Sequence, residues 1–219
     1  MFGKVELERM LTRKTWDHVI DLKKMFKPQK GKIYPLSKNK KEEVQKFMED
    51  QLRKGYIRPS KSSQMLLVFF VGKKDSSKRI VIDYHNLNNQ IIKNNYPLLL
   101  ITELIDNMGS KKVFTKIDLR WEFNNMRIKE GNEWKGVFTM HIGSFELTVM
   151  FFGMTNLPAI FQVMINKILR DLINKGKVTA FVDDILVGTE IEERHDEIVK
   201  EILKRLEEND LYIKPEKYV

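Results

Sequence analysis

The 219-residue sequence contains no cysteine and only four histidines. The absence of cysteine excludes disulfide bonds and thiolate metal ligands, and no two histidines have the spacing of a zinc site. The sequence also lacks an apolar run of the roughly 18 to 20 residues that a membrane-spanning helix needs. Its start, MFGKVELERM, carries acidic residues and no apolar stretch, so we do not expect a secretion signal. We therefore expect a soluble protein inside the cell, with no membrane partner.

The composition, 42% hydrophobic and 32% charged, is typical of a globular protein with one large or two small domains. The net charge of +9 is unevenly distributed: residues 23–61 contain 13 Lys or Arg against 4 Asp or Glu, and residues 190–210 contain 9 acidic against 4 basic residues. A basic region favours contact with a polyanion such as a nucleic-acid backbone. A lysine-rich solvated surface explains the same charge equally well, so charge alone leaves nucleic-acid binding open.

Hydrophobic periodicity predicts an α+β fold. The predicted elements are an extended arm (residues 1–36), a helix from Ser37 to Gly55 with Val44, Phe47, Met48 and Leu52 on one face, a hairpin of strands 66–71 and 79–83 with a basic tip, a helix over 97–109, a strand over 112–118, a hairpin of strands 134–140 and 145–150, a helix from Pro158 to about 174, strands 178–182 and 185–188, and a helix over about 190–208. From Lys112 onward this order predicts an antiparallel sheet with helices on one face.

Asp183 and Asp184 are adjacent acidic residues between two apolar runs, 180–182 and 185–187. Neighbouring side chains of a strand point to opposite faces, so one acid of a plain strand would face a core, at a cost of several kcal/mol by order of magnitude. A tight hairpin with both acids at its tip avoids that cost, and there they meet solvent or hold a cation. Because Asp is also favoured in ordinary β-turns, the segment alone does not decide between the two.

Asp118 ends a second apolar strand, Lys116-Ile117-Asp118-Leu119. Two carboxylate sites at strand ends of one sheet can hold a pair of divalent cations, because Mg²⁺ prefers oxygen ligands and keeps much of its water. Two such ions about 4 Å apart can stabilise the attacking and leaving oxygens of an in-line phosphoryl transfer.

The chain resembles the reverse transcriptases of gypsy-type LTR retrotransposons, especially fungal ones, from about Trp16 to Tyr218. The blocks that carry the resemblance are Pro59-Ser60-Lys61-Ser62, Lys73-Lys74-Asp75, Asp83-Tyr84 with Leu87-Asn88, Asn95-Tyr96-Pro97-Leu98, Phe114-Thr115-Lys116-Ile117-Asp118-Leu119-Arg120-Trp121, Arg127-Ile128-Lys129-Glu130-Gly131 with Glu133-Trp134-Lys135, Phe152-Gly153-Met154-Thr155-Asn156 with Pro158-Ala159, Phe161-Gln162, and Phe181-Val182-Asp183-Asp184-Ile185-Leu186-Val187.

This resemblance implies the fingers and palm of a right-hand polymerase, with a ferredoxin-like antiparallel palm sheet and helices on one face. Residues 1–36 would form an N-terminal arm, 37–111 the fingers, with 134–150 contributing at their border with the palm, and 112–219 the palm. The implied function is an RNA-directed DNA polymerase core that binds an RNA or DNA template with primer and a dNTP. Asp118, Asp183 and Asp184 would be its catalytic, metal-binding residues, holding two Mg²⁺ ions or Mn²⁺ in their place.

The resemblance also implies four nucleotide-binding residues. Lys73 and Arg79 match residues that grip the incoming triphosphate, Phe123 falls at the position of the steric gate against a ribose 2′-OH, and Phe152 matches a residue near the templating pair. The structural alternatives are that Phe123 and Phe152 are core aromatics and that Lys73 and Arg79 are solvated turn charges.

Glu122 departs from the family, which has a small residue, normally glycine, at this position. An added carboxylate close to the triphosphate would repel the nucleotide. The chain also ends before the family's thumb, connection and RNase H regions, from which we expect poor processivity. A catalytically lapsed retroelement-derived domain that binds nucleic acid or protein is therefore the alternative function. A third interpretation is a subunit completed by a homo-oligomer or by a partner chain that supplies the thumb.

Overall fold

The computed structural model of the chain describes residues 12–29, 37–72, 78–97, 102, 106, 108–119 and 126–213. The chain forms two compact units, the first from the described residues of 1–93 and 126–155 and the second from those of 94–125 and 156–219. Each unit combines helices with antiparallel strands, which confirms the predicted α+β class. Among the described helices, none is both long enough and apolar enough to cross a membrane.

The elements of the described residues are, in chain order, α1 (Lys38–Arg53), β1 (Ile57–Pro59), β2 (Leu67–Gly72), β3 (Lys78–Asp83), α2 (His85–Gln90), β4 (Val113–Asp118), a 3-10 turn (Glu133–Gly136), β5 (Phe138–Met140), β6 (Gly143–Leu147), α3 (Leu157–Ile168), α4 (Arg170–Asn174), β7 (Val178–Phe181), β8 (Asp184–Thr189) and α5 (Glu192–Glu208). Most residues of the helix predicted over 97–109 lie outside the described residues.

Helix α1 of the first unit forms where the apolar spacing predicts it. Val44 and Met48 are buried, but the next buried position is Gln51, and Leu52 is exposed. Residues at i, i+4 and i+7 share one side of a helix, and 44, 48 and 51 have this spacing, so Leu52 lies one position beyond the stripe. The prediction that Leu52 faces inward was wrong.

The strands of the first unit form two sheets, one with the order β1-β6-β5 and the other made of β2 and β3. The β2–β3 pairing extends from Leu67 opposite Asp83 to Gly72 opposite Lys78. This confirms the predicted hairpin strands, while the basic tip over 73–77 lies outside the described residues.

The β5–β6 hairpin is shorter than the strands predicted over 134–140 and 145–150. Glu133–Gly136 is a 3-10 turn, so β5 begins only at Phe138. Met140 pairs with Gly143, which leaves a two-residue loop in place of the predicted four-residue turn. Gly143 has φ 137°, a conformation that L side chains rarely adopt, and this lets strand pairing resume immediately after the loop.

The second unit is built on a three-stranded antiparallel sheet with the order β4-β8-β7. Beyond the end of β4, an isolated antiparallel bridge joins Leu119 to Ile213. The central strand β8 therefore has β4 on one side and β7 on the other, and this arrangement places the start of β8 beside the end of β4.

Helix α3 has Pro158 in its first turn, as predicted, and buries Phe161, Met164 and Ile165. The predicted single helix is instead two, because α3 ends at Ile168 and α4 follows. The Arg205 guanidinium of α5 donates a hydrogen bond to the Ile168 carbonyl at 3.1 Å, so the carbonyl at the break has a partner.

Helix α5 is hydrogen-bonded to β4, which ends at Asp118, and to β8, which begins at Asp184. The buried His195 imidazole hydrogen-bonds the hydroxyl of Thr115 on β4 at 2.8 Å and that of Thr189 on β8 at 2.9 Å. Ile198, Ile202 and Leu206 of α5 are buried as predicted, whereas Leu203 is only half-buried. This one helix therefore holds β4 and β8 in place against each other.

Candidate active site

Asp118 and Asp184 lie directly opposite each other on neighbouring strands. Asp118 is the last residue of β4, Asp184 is the first residue of β8, and the two are Cα partners in the antiparallel register. Directly opposed side chains point to the same face of a sheet, with Cβ atoms about 5 Å apart. Two carboxylates in this arrangement repel each other unless a cation lies between them.

The face that carries the two carboxylates is the one turned away from α5. Thr115 hydrogen-bonds His195, so its side chain lies on the face of β4 that is covered by α5. Successive side chains of a strand point to opposite faces, so Lys116 and Asp118 lie on the other face. The Asp118 side chain is 11% exposed, whereas that of Asp184 is 49% exposed. One carboxylate is therefore almost covered and its partner is open to solvent.

The Lys116 ammonium group contacts both carboxylates. Lys116 precedes Asp118 by two residues and so lies on the same face of β4. Its Nζ atom is 3.0 Å from Oδ1 of Asp184 and 3.4 Å from Oδ1 of Asp118. The site therefore already holds one positive charge. Sequence reasoning did not select Lys116, although the two-residue strand period could have placed it beside Asp118.

The environment of the pair shifts its ionisation. Burial raises the pKa of Asp184, hydrogen bonding with Asp118 raises it further, and Lys116 acts in the opposite direction. Asp184 and, less strongly, Asp118 raise the pKa of the Lys116 ammonium. These directions are what two neighbouring carboxylates beside one ammonium group produce.

The turn between β7 and β8 differs from the predicted one. Phe181 pairs with Asp184, so the loop consists of Val182 and Asp183, and Asp184 is already a strand residue. The prediction that both acids lie at the tip was wrong. If Asp184 belonged to the loop, it could not pair with Asp118.

Val182 has φ 54°, which is rare for a β-branched residue, and is buried. Such a conformation costs on the order of 1–3 kcal/mol and persists only where the surroundings hold it.

Gln162 of α3 is the residue that holds this turn. It is buried, its Oε1 accepts a hydrogen bond from the Val182 N–H at 2.8 Å, and its Nε2 donates to the Ala180 carbonyl at 2.9 Å. Gln162 was predicted only as part of a family block. Its signal in the sequence is a polar residue beside Phe161, within the apolar pattern of α3.

Asp183 adjoins the carboxylate pair through the backbone. Its carbonyl accepts a hydrogen bond from the Leu119 N–H at 2.9 Å, which ties the turn to the end of β4. Within the described ranges, no group of three or more His, Cys, Asp or Glu side chains is arranged to hold a metal ion. The structure thus brings together two of the three predicted carboxylates. Two oxygen donors that already bind an ammonium group fit Mg²⁺, which often takes one or two protein carboxylates and keeps its water.

The predicted nucleotide-binding residues are only partly described. Lys73, Phe123 and the departure Glu122 lie outside the described residues. Arg79 belongs to β3 in the first unit, with Val71 as its partner on β2. Phe152, also in the first unit, is 59% exposed, which is far more than a core aromatic residue shows.

The backbone beside Phe152 is held by side-chain hydrogen bonds within the first unit. Gly153 has φ 100°, and its carbonyl accepts a hydrogen bond from Nδ2 of Asn88 at 2.7 Å. Oδ1 of Asn88 accepts one from the Thr155 N–H at 2.8 Å. A side chain at position 153 would bring its Cβ to 3.2 Å from the Tyr84 ring. Phe152 is therefore presented to solvent from a fixed turn.

Curated transposon proteins are similar to this chain in sequence. The Transposon Tf2-3 and Tf2-7 polyproteins of Schizosaccharomyces pombe are each 36% identical to it over 180 residues, or 82% of the chain. The chain spans 13% of the length of these polyproteins. The predicted resemblance to reverse transcriptases of fungal gypsy-type LTR retrotransposons is confirmed.

Solved structures of foamy virus protease-reverse transcriptase share the fold. One, in complex with an RNA/DNA hybrid, has a TM-score of 0.76 at 22% identity and covers 96% of this chain and 29% of its own. Another, in complex with double-stranded DNA, has a TM-score of 0.72 at 24% identity and covers 93% of this chain and 35% of its own. The predicted polymerase fold is confirmed.

A family model described as "Reverse transcriptase (RNA-dependent DNA polymerase)" matches residues 71–219, which is more than half of the chain and includes Asp118, Asp183 and Asp184. The chain belongs to the reverse transcriptase (RNA-dependent DNA polymerase) family.

Proposed function

We propose that this chain is the core of an RNA-directed DNA polymerase, which transfers a nucleotide from a dNTP to a primer 3′-OH. The observation that carries the proposal is the opposition of Asp118 and Asp184 with the Lys116 ammonium group in contact with both. Paired carboxylates at strand ends, open to solvent on one side, provide what a phosphoryl-transfer site needs from the protein. In this proposal residues 37–111, with the β2–β3 hairpin, supply the fingers, residues 112–219 supply the palm, and residues 134–150 contribute at their border.

The acidic residues have distinct tasks in this proposal. Two Mg²⁺ ions, or Mn²⁺ in their place, supply when bound the charge that stabilises the attacking and leaving oxygens. Asp118 and Asp184 would hold the metal ions, and Asp183 would complete the ligand set. Gln162 keeps the Val182–Asp183 turn in the form that places Asp184 opposite Asp118.

Four residues bind the nucleotide in this proposal. Lys73 and Arg79 bind the triphosphate through their positive charges, because charge-assisted hydrogen bonds to phosphate are strong. Phe123 excludes a ribose 2′-OH by its bulk, and Phe152 packs near the templating pair. The exposure of Phe152 supports a binding role over that of a core aromatic residue.

The partners of the chain in this proposal are an RNA or DNA template with its primer and a dNTP. The foamy virus protein that shares the fold is found in complexes with an RNA/DNA hybrid and with double-stranded DNA. We place the activity inside the cell, in the cytoplasm, in a virus-like particle or in the nucleus, because the relatives are transposon polyproteins.

Primer extension on an RNA template tests the proposal. The purified chain is compared with Asp184→Asn, which keeps the size of the side chain but removes its charge, and with Asp196→Asn, an exposed residue of α5, as the matched control. We expect the parent and Asp196→Asn to incorporate dNTPs and Asp184→Asn to lose at least about 100-fold in rate, an order typical of removing a charge that stabilises a transition state.

Two outcomes would contradict the proposal. An Asp184→Asn variant as active as the parent would place the chemistry elsewhere. A parent chain without incorporation at any Mg²⁺ or Mn²⁺ concentration, but with retained template binding, would favour the alternative of a lapsed nucleic-acid-binding domain.

A further inference from the structure

The Lys116 ammonium group contacts both carboxylates that are proposed to hold the metal ion. The Nζ atom lies within ion-pair distance of both Asp118 and Asp184, and the Lys116 side chain is half exposed. We propose that Lys116 is an internal placeholder cation, which stabilises the metal-free site and must move out before a divalent ion can bind. This inference rests on the proposed metal site. In it, Lys116 sets the affinity of that site for metal.

Without a metal ion, the two carboxylates would repel each other. The strand register forces Asp118 and Asp184 into direct opposition, and the Asp118 side chain is almost covered. Like charges that are directly opposed across strands are destabilising. The ammonium group offsets this repulsion, and no conformational change of the backbone is needed because Lys116 already lies on the same face.

The ammonium group and a divalent ion compete for the same carboxylate oxygens. The ammonium contacts are 3.0 and 3.4 Å long, whereas Mg²⁺ binds oxygen at about 2.0–2.1 Å. A metal ion bound to the facing Oδ1 atoms and the ammonium group cannot fill the same space. Lys116 can leave, because its side chain is 51% exposed and lysine carries its point charge on a flexible four-carbon stem.

The consequence is a metal-binding threshold built into the site. Divalent ions displace Lys116 only above a certain concentration, and the protein keeps an ordered carboxylate pair below it. A neutral side chain at position 116 removes the competitor and leaves the repulsion. The metal-free protein then becomes less stable, while the affinity for metal increases.

Calorimetric titration with Mn²⁺ alone, at neutral pH and without nucleotide, tests the inference. Lys116→Gln is compared with Lys200→Gln, which removes one positive charge from an exposed position of α5. We expect Lys116→Gln to bind Mn²⁺ on the order of tenfold more tightly than the parent, as two exposed ion pairs together can account for. Lys200→Gln should stay within about twofold of the parent, because its charge is screened by solvent and salt.

Lys116→Arg and thermal unfolding supply the second readout. Arginine keeps the charge and matches paired carboxylates with its planar guanidinium, so Mn²⁺ affinity should equal or fall below that of the parent. In EDTA, Lys116→Gln should have a lower melting temperature than the parent. Added Mn²⁺ should raise the melting temperature of Lys116→Gln by more than that of the parent, because tighter binding to the native state stabilises it more.

The inference is overturned if Lys116→Gln binds Mn²⁺ no more tightly than the parent, or not at all, or if Lys116→Arg binds more tightly than the parent. None of these measurements depends on polymerase activity. A chain that fails in primer extension but shows the expected change in Mn²⁺ affinity would contradict the proposed function and leave the role of Lys116 standing.

Discussion

The side-chain carbonyl of Gln162 accepts a hydrogen bond from the backbone N–H of Val182 across 2.8 Å, inside the second unit. A single buried amide of α3 thereby fixes the turn that places Asp184 opposite Asp118. The turn would otherwise carry an uncompensated cost, because Val182 is β-branched and has a positive φ. The geometry of the proposed metal site thus depends on a residue that does not belong to the carboxylate pair.

The first prediction concerns this amide. Gln162→Met keeps a similar volume but leaves the buried Val182 N–H without its acceptor. The free energy of unfolding should fall by about 1–3 kcal/mol, measured by urea denaturation, because an unsatisfied buried donor costs that much. Gln45→Met is the matched control, since Gln45 is exposed on α1 and pairs only with the neighbouring Glu49 among the hydrogen bonds described. Equal stabilities of Gln162→Met and the parent would show that the Val182–Asp183 turn does not depend on the hydrogen bond with Gln162.

The second prediction concerns the turn beside Phe152. Gly153→Ala introduces a Cβ at φ 100° and 3.2 Å from the Tyr84 ring, so we expect a loss of about 1–3 kcal/mol in the free energy of unfolding. Gly131→Ala separates the two causes, because Gly131 has φ 80° and no atom within 4 Å of the added Cβ. Denaturation should show the larger loss for Gly153→Ala. Equal losses would mean that contact with Tyr84 contributes nothing.

The third prediction concerns pH. His18 is buried, and neither ring nitrogen has a hydrogen-bond partner within the described part of the chain. Burial, helped by the charge of Lys135, lowers the pKa of His18 to about 4. The unfolded chain therefore binds a proton between pH 6.5 and 4 that the folded chain does not. The contribution of neutral His18 to the free energy of unfolding is complete above pH 6.5, and it decreases by up to about 3 kcal/mol as the pH falls to 4.

Denaturation of His18→Leu across this pH range checks the assignment. The variant should show a weaker decrease in stability on acidification than the parent, whereas His141→Gln, at an exposed loop position, should follow the parent. Parallel curves for His18→Leu and the parent would contradict a neutral buried imidazole.

The fourth prediction concerns Glu122, where the family normally has glycine. Glu122→Gly should increase primer extension, chiefly through a lower KM for dNTP, because it removes negative charge and bulk near the triphosphate. Glu122→Gln removes only the charge, so the difference between the two variants measures crowding. If neither variant raises activity, electrostatic repulsion at this position is not what limits the enzyme.

The secondary structure of this chain could be predicted in large part from its apolar periodicity. The helix from Ser37 and the strands ending at Asp83 and Asp118 have the predicted order and similar bounds. One wrong prediction concerns which residue of α1 faces the core. Gln51 is buried on α1 and Leu52 is exposed, because the buried side of the helix follows the spacing of Val44, Met48 and Gln51.

The carboxylate site shows why register is harder to predict than strands. Sequence reasoning placed Asp183 and Asp184 together at a hairpin tip, since acidic residues are favoured in turns. The two-residue loop begins one residue earlier, at Val182, in a conformation that a β-branched residue rarely adopts. Tertiary contacts of the loop with Gln162 and with the Leu119 N–H favour that conformation, so local propensity could not indicate it.

The central claim is that Asp118 and Asp184 hold a divalent metal ion for nucleotidyl transfer. Anomalous X-ray diffraction from crystals of the chain with Mn²⁺, template–primer and a dNTP tests it most directly. We expect an anomalous peak about 2 Å from carboxylate oxygens of both residues, with the Lys116 ammonium group displaced from its contacts with them. Manganese bound elsewhere, with Lys116 still in contact with both carboxylates, would contradict the claim.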